Sequence, residues 1–178
     1  MTLRVILPLA IAAVFAIGAA HPFPALANDR TTPVEIHYAP AENLEKIDVA
    51  LIREAETSID MTAYVLTDVA VINALTDAAE RGVWIRIYRD ARTSESHGAV
   101  GEALARLAAQ PSVEQHTKHA FVLMHLKSYV VDGKLLRTGS ANFSASGEKH
   151  QDNDLIVIRD ATAARAFVAN FETMWGAK

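Results

Sequence analysis

Three side chains in the middle of the chain have the types and spacing needed for phosphate chemistry. His125, Lys127 and Asp132 follow the pattern H-x-K-x-x-x-x-D. A neutral imidazole can attack phosphorus and form a covalent phospho-enzyme. A neighbouring ammonium can hold the non-bridging oxygens as charge builds in the transition state. A protonated lysine cannot bind a metal, and the chain contains no cysteine. The pattern therefore predicts phosphoryl transfer without a metal or other cofactor.

A second group of polar residues follows at a fixed distance. Six residues separate Asp132 from a G-S-x-N sequence, which supplies Gly139, Ser140 and Asn142. The hydroxyl and the side-chain amide can join the lysine in holding phosphate oxygens. Ser140 and Asn142 have the same parity, so we expect both to lean over one pocket, with Gly139 beside the substrate.

The residues between these two groups predict a β-hairpin. Apolar and polar residues alternate through 124–143, and Asp132-Gly133 is a typical turn sequence. Residues two apart on a strand share a face, so His125 and Lys127 should meet the substrate together. Asp132 lies at an odd offset from His125. It should therefore sit in the turn or on the opposite face and support the structure.

Strands and helices alternate around this hairpin. Four further strands are predicted, with a short fifth at 113–115; they lie at 34–38, 58–65, 83–88 and 154–159. Helices with apolar residues on one face are predicted at 43–56, 68–82, 100–109 and 161–175. The segments 90–98 and 144–153 are predicted as polar loops. This order favours an α/β fold.

The composite pattern resembles the signature of the phospholipase D superfamily, H-x-K-x-x-x-x-D followed by G-S-x-x-N or G-S-x-N. The resemblance covers nearly all of residues 28–178 and extends to four more landmarks: Tyr38-Ala39-Pro40, Thr57–Asp60, Ala63–Thr67 and Asp154–Asp160. It implies one α/β domain, with a mixed central sheet flanked by helices on both faces. The length and the single motif are similar to those of small bacterial endonucleases of the superfamily.

The single motif also predicts a homodimer joined through the active-site face. Cleavage through a histidine needs one imidazole to attack phosphorus and another to protonate the leaving oxygen. The chain has one copy of the motif and no internal repeat. A two-fold dimer would bring His125 and its symmetry mate together, as a coupled pair with one ring neutral and one protonated. Lys127, Ser140 and Asn142 would hold the phosphate.

The sequence departs from the family at one position. Related single-motif nucleases place a glutamate just before the last strand, where it hydrogen-bonds the catalytic histidine. That place holds Asn153, whose amide oxygen can accept a hydrogen bond but carries no charge. Asp152 or Asp154 could substitute after a shift of one residue, although Asp154 is more simply a strand residue.

A second H-x-K sequence, His116-Thr117-Lys118, does not continue as a signature. Leu123 stands where the pattern requires aspartate, and no G-S-x-N follows at the right distance. We interpret this sequence as a chance match.

The first 27 residues are typical of a signal peptide. Arg4 is their only charged side chain, residues 5–20 are apolar, and Ala25-Leu26-Ala27 is a small-x-small cleavage site. Cleavage before Asn28 would leave a domain of residues 28–178, exported to the periplasm or secreted, with no stable membrane insertion. An uncleaved anchor is the alternative, but the apolar run is short for a span.

The charge tempers the nuclease interpretation. The chain has 17 Lys and Arg against 21 Asp and Glu, and loss of Arg4 takes the net charge from −4 to −5. A basic face for DNA or RNA would therefore be local. An exported endonuclease is favoured. The alternatives are a phospholipase D-type lipid hydrolase or transphosphatidylase, and a nucleic-acid-binding module without turnover. No interfacial helix or large exposed apolar loop is evident in the sequence, which counts against a lipid as the substrate.

Overall fold

A computed structural model describes residues 34–93, 97–119 and 121–176. Residues 1–27 and the expected cleavage point lie outside this part of the chain. Seven strands form one sheet: β1 (Val34–Ala39), β2 (Ser58–Ala63), β3 (Trp84–Asp90), β4 (Val113–Lys118), β5 (Lys127–Val131), β6 (Leu135–Gly139) and β7 (Asn153–Ile158). Their spatial order is β1-β7-β6-β5-β2-β3-β4.

The sheet is mixed, as the α/β prediction required. Strands β2, β3 and β4 run parallel, and every other neighbouring pair is antiparallel. Strand β2 lies between parallel β3 and antiparallel β5. The carboxyl ends of β2 and β3 therefore meet the amino end of β5, which is where the residues of the H-x-K pattern lie.

Helices cover both faces of the sheet. The helices are α1 (Leu44–Arg53), α2 (Val69–Glu80), α3 (Gly98–Ala108), α4 (Ala145–Lys149) and α5 (Ala161–Trp175). Helices α1, α2 and α3 pack side by side and bury one face of β2, β3 and β5 in the main core. Helix α5 contacts β2, β5 and β6 on the other face, where Phe171 packs with Tyr88 and Met124.

Side-chain caps fix where helices α1, α2 and α5 begin. Asn43 accepts a hydrogen bond from the Lys46 N–H at the start of α1. Asp68 and Asp160 each accept from two backbone N–H groups at the starts of α2 and α5. The helices predicted to begin at 43, 68 and 161 begin at Leu44, Val69 and Ala161, within one residue of the prediction.

Two segments differ from the sequence-based expectation. Strand β4 extends to Lys118, so the second H-x-K sequence lies on an edge strand, where the His116 ring stacks on Trp175 at a centroid distance of 3.8 Å. The predicted loop 144–153 contains α4, capped by the Ser144 hydroxyl. Five residues are too few for a helical periodicity to stand out in the sequence.

None of the helices in the described ranges combines the length and apolar character needed to cross a bilayer.

Candidate active site

His125 and Lys127 form the centre of the site. His125 is exposed and lies just before β5, whereas Lys127 opens that strand and is only 5% exposed. The Lys127 Nζ lies 3.0 Å from Nδ1 and 3.1 Å from Nε2 of His125, and it donates to the His125 carbonyl oxygen at 2.7 Å. Burial lowers the pKa of Lys127. The two side chains share a side, as strand parity predicted.

Tyr64 forms a wall beside this pair. Its ring centroid lies 4.5 Å from that of His125, tilted by 51°, and 4.8 Å from the Lys127 Nζ. A cation over an aromatic face is attracted by the ring quadrupole. The Tyr64 N–H also donates to the Leu126 carbonyl oxygen at 2.9 Å. The sequence signalled Tyr64 only through the A-Y-V-L-T landmark, since an aromatic residue after a strand is typical of ordinary packing.

Asp90 fixes the backbone that carries His125. This aspartate is buried at the end of β3, where Oδ2 accepts from the Met124 N–H at 2.8 Å and Oδ1 from the Arg92 N–H at 3.0 Å. Burial acts to raise the pKa of Asp90, but these backbone donors outweigh it and hold the pKa below its ordinary value. The sequence placed Asp90 at the start of a polar loop and gave no sign of this contact, which joins residues 34 positions apart.

Asp132 supports the hairpin from its turn, at the opposite end of β5 from Lys127. Its carboxylate accepts hydrogen bonds from the backbone N–H groups of Glu56, Thr57 and Ser58 at 2.8–3.0 Å, and from the Thr57 hydroxyl. Burial acts to raise the pKa of Asp132, but the four donors outweigh it and hold the pKa below its ordinary value. These contacts fit the supporting part expected for Asp132 and place it away from the reacting groups.

The G-S-x-N segment is held by β7. A Cβ on Gly139 would lie 2.4 Å from the Asp154 carbonyl oxygen, and the Gly139 φ is +138°, so only glycine fits. The Ser140 hydroxyl donates to the Asp154 carboxylate and accepts from the Asp154 N–H at 2.9 Å. The Asn142 Oδ1 is buried and has no hydrogen-bond partner among the described residues. The Ser140 hydroxyl is therefore already engaged, whereas the Asn142 amide oxygen is not.

The expected histidine-orienting contact is not seen. Asn153 donates through Nδ2 to the Gly147 carbonyl oxygen at 2.9 Å and to Gln151 Oε1 at 3.3 Å. No hydrogen bond joins His125 to Asn153, Asp152 or Asp154 within the described ranges. The physical reason is α4, whose Gly147 carbonyl takes the amide of Asn153 at the start of β7.

Asp152 and Asn153 instead line a cavity of about 380 Å³. Tyr38, Ala39, Ser140 and Asp154 complete its lining. The structure thus brings together three of the predicted site residues, Ser140, Asp152 and Asn153. The carboxylates of Asp152 and Asp154 make the lining of the cavity negative. Over the part of the chain that is described, no three His, Asp or Glu side chains converge as a metal site would require.

A buried ion pair lies behind the site and ties its parts together. The Arg137 guanidinium is fully buried and binds both oxygens of the Asp48 carboxylate, at 2.8 and 2.6 Å. Its Nη1 also donates to the carbonyl oxygens of Lys127 at 2.9 Å and Ala141 at 3.3 Å. Arg137 therefore links β5, the G-S-x-N segment and α1. An arginine on a predicted strand gives no sequence signal for such a role.

A second carboxyl is buried beside this pair. Burial, reinforced by the negative charge of Asp48, raises the pKa of Glu148 to about 10. Neither oxygen has a hydrogen-bond partner among the residues described, and one lies 3.9 Å from Arg137. The distance alone would suggest an ion pair, but the raised pKa makes Glu148 neutral near pH 7. Asp48 is then the counter-ion of Arg137.

Comparison with known proteins agrees with the fold and the signature. Residues 49–175 match the family described as "Cardiolipin synthase, PLD-like domain". A "Phospholipase D" of Rickettsia conorii is 29% identical over 134 residues, which are 75% of this chain and 65% of that protein. A "Mitochondrial cardiolipin hydrolase" of Drosophila melanogaster is 31% identical over 155 residues, 76% of this chain and 59% of that protein.

Two solved structures share the fold. Nuc from Salmonella typhimurium, a phospholipase D family member, has a TM-score of 0.74 and 28% identity, over 80% of this chain and 93% of that one. NucT from Helicobacter pylori has a TM-score of 0.73 and 18% identity, over 80% of this chain and 95% of that one.

The chain belongs to the phospholipase D superfamily of phosphodiesterases. It covers less than two thirds of the length of the two curated relatives described above.

Proposed function

We propose that this protein is a metal-independent phosphodiesterase that acts as an endonuclease on DNA or RNA. The contact between Lys127 and His125 is the observation that carries the proposal. The Lys127 Nζ lies 3.0 and 3.1 Å from the two ring nitrogens of His125, so a nucleophile that can attack phosphorus and a cation that can hold phosphate oxygens lie side by side. The Lys127 ammonium and the side-chain N–H donors of Asn142 can then hold the phosphate oxygens, which accept hydrogen bonds.

The proposed reaction has two steps. A ring nitrogen of His125 forms a bond to phosphorus while the bond from phosphorus to the leaving oxygen breaks. The protonated His125 of a second subunit gives its proton to that oxygen. Water then attacks the phosphohistidine and gives a proton to the second imidazole, which releases the product and restores both rings.

The nuclease assignment rests on size, motif number and likeness to Nuc. The chain carries one motif and matches 93% of Nuc at 28% identity. The proposal includes a homodimer joined at the active-site face, because one motif supplies one imidazole where the reaction uses two. It also includes export, with residues 1–27 as the signal. Mass spectrometry of the N-terminal peptide of the exported protein tests whether residues 1–27 are removed.

The decisive assay compares the wild-type protein with His125→Ala on plasmid DNA in excess EDTA. We expect the wild type to cleave with the chelator present and the variant to lose at least 10³-fold in rate, on the order of the loss of a nucleophile. Rapid denaturation should trap an acid-labile phosphate label on the hairpin peptide. Cleavage that stops in EDTA, or that survives in His125→Ala, would contradict the proposal.

Lipid phosphodiester hydrolysis is the second candidate, favoured by an exposed apolar segment. Phe121 is 95% exposed and Val122 69% exposed, and Leu123 and Leu126 are also exposed, all within five residues of His125. The expectation that no exposed apolar loop is present was therefore wrong. Two curated relatives also carry lipid-related names. Incubation of the same protein with phosphatidylcholine vesicles and with plasmid DNA separates the two candidates. Binding of DNA without cleavage would instead indicate a non-catalytic binding module.

A further inference from the structure

Arg89 is a buried cation without a counter-ion among the described residues. It lies next to the end of β3, is 6% exposed, and has a buried Nε with no hydrogen-bond partner. Its Nη2 donates to the Thr93 carbonyl oxygen at 3.3 Å, and burial lowers its pKa. Arg86 on the same strand differs sharply, because it binds Asp60 and Glu172, each at 2.7 Å.

The strand register places Arg89 beside the candidate active site. Ala63 at the end of β2 pairs with Arg89 of β3 on one side and with Lys127 of β5 on the other. Directly paired residues share a face of the sheet, so both cations flank Ala63 on the same face, with Cα atoms roughly 10 Å apart. The Thr93 hydroxyl donates to the Tyr64 carbonyl oxygen, which links the turn over Arg89 to the wall of the site.

An unpaired buried cation destabilises a folded protein. If Arg89 had a purely structural role, we would expect a carboxylate of the protein to pair with it. Buried charges in proteins are normally paired, because desolvation penalises an isolated ion. Arg137 follows this rule through Asp48, and Arg86 through its two carboxylates. Arg89 instead keeps an unpaired Nε–H donor. The donors of a guanidinium group have the geometry to bind two oxygens of a phosphate. Its place beside Lys127 indicates that the missing anion belongs to the substrate.

We propose that Arg89 binds the phosphate next to the one that His125 attacks, so that the site holds two successive phosphates of a nucleic-acid strand. This inference rests on the nuclease function proposed above. The separation of about two strand spacings suits neighbouring phosphates better than two oxygens of one phosphate. Arg89 is then a substrate-binding residue that favours polynucleotides over diesters with a single phosphate.

The test compares two substrates, an eight-nucleotide single strand and a dinucleoside monophosphate, which has only one phosphate. We expect Arg89→Gln to lower kcat/KM on the longer strand at least tenfold more than on the dinucleotide, mainly through KM. Loss of one phosphate contact should also make the slope of log kcat/KM against log salt shallower by about 0.7. Arg89→Lys should recover part of both effects, because it keeps the charge.

Arg53→Gln is the matched control. Arg53 is exposed in the last turn of α1, near the opposite end of β2, so the same charge change there should leave the substrate ratio as it is. Melting temperatures are measured for each variant. Equal losses on both substrates, with a lower melting temperature, would show that Arg89 is structural and overturn the inference. An unchanged substrate ratio would overturn it as well.

Binding separates this inference from the parent proposal. The same strand and dinucleotide are titrated into His125→Ala protein with and without Arg89→Gln. If the wild type does not turn over but Arg89→Gln weakens binding of the longer strand at least tenfold, the catalytic proposal fails and the subsite stands. If the strand does not bind, or binds equally to both proteins, the subsite is refuted.

Discussion

At the scale of single residues, the chemistry depends on environments that differ strongly over short distances. His125 is exposed while Lys127, two positions away, is almost fully buried. A buried ammonium is pre-oriented, because it keeps its place without the mobility of a surface lysine. The same burial acts on Glu148, where desolvation and the negative charge of Asp48 outweigh the charge of Arg137, 3.9 Å away, and raise the pKa of the carboxyl. Residue type gives the possible chemistry, and burial selects among the protonation states.

Glu148→Gln should stabilise the protein near neutral pH. The folded pKa of Glu148 is raised to about 10 from 4.5, so folding takes up a proton between these values. The contribution of this carboxyl to stability is therefore complete below pH 4.5 and is lost as pH rises towards 10. The neutral amide avoids that loss, and we expect a melting temperature about 3 °C higher at pH 8. Thermal unfolding at pH 5 and pH 8 measures the difference.

The gain of Glu148→Gln should shrink at pH 5, where less of the wild-type stability has been lost. Glu102→Gln makes the same change on the exposed face of α3 and should alter neither melting temperature nor pH dependence. A Glu148→Gln protein that is less stable at pH 8 would mean that the carboxylate is ionised and paired with Arg137.

At the scale of elements, the β5–β6 hairpin is a rigid arm fixed at both ends. Asp132 and Gly133 have φ values of +52° and +64°, and the Lys134 N–H donates to the Val131 carbonyl oxygen at 3.0 Å, as in a tight two-residue turn. Four donors around α1 and β2 hold the Asp132 carboxylate at that end. Arg137 and Asp90 hold the other end through backbone groups. The hairpin thus presents His125 from a fixed strand start.

Asp132→Asn should destabilise the protein by about 1–3 kcal/mol at pH 7, because an amide cannot accept all four hydrogen bonds. The folded pKa of Asp132 lies below its ordinary value of 3.8. Its contribution is therefore present above that value and is lost as pH falls through the lowered pKa. Urea unfolding at pH 7 and at pH 3 should show the gap between wild type and variant narrowing in acid. A gap that stays constant would mean that charge is not involved.

At the scale of the whole molecule, the proposed two-histidine reaction would make assembly part of the chemistry, because the chain carries one motif. A two-fold axis beside His125 would bring two identical hairpins together and place Phe121 and its apolar neighbours close to the second subunit. The overall negative charge and the negative cavity beside Ser140 would leave Lys127 and Arg89 as local cations for an anionic substrate. Activity should then depend on the pairing of intact subunits.

Subunit mixing tests this dependence. Wild-type protein is exchanged with a threefold excess of His125→Ala, so that most wild-type chains pair with a variant that lacks one imidazole. If both rings are needed, activity should fall to about one quarter of that of the wild type alone, its share of the chains. Exchange with Glu102→Gln should leave the activity per active chain constant. Full activity after exchange with His125→Ala would show that each chain works alone.

The sequence by itself determined the features that depend on local order. The hairpin, the starts of three helices, the alternation of strands and helices and the common side of His125 and Lys127 were all predicted, because each follows from residues a few positions apart. The superfamily was recognisable for the same reason, since the fixed spacing of its signature reflects one hairpin. The α/β class followed from the order of these elements.

Only the tertiary structure decided which distant residues complete the site. Asp90 accepts a hydrogen bond from the Met124 N–H, and the Tyr64 ring packs against His125. Arg137 forms an ion pair with Asp48. Arg89 and Lys127 both pair with Ala63 on neighbouring strands. Asn153 does not make the expected hydrogen bond to His125. Its Nδ2 group donates instead to the Gly147 carbonyl oxygen of α4. These outcomes depend on strand order and burial, which arise when segments far apart in the chain pack together, and no local pattern encodes them.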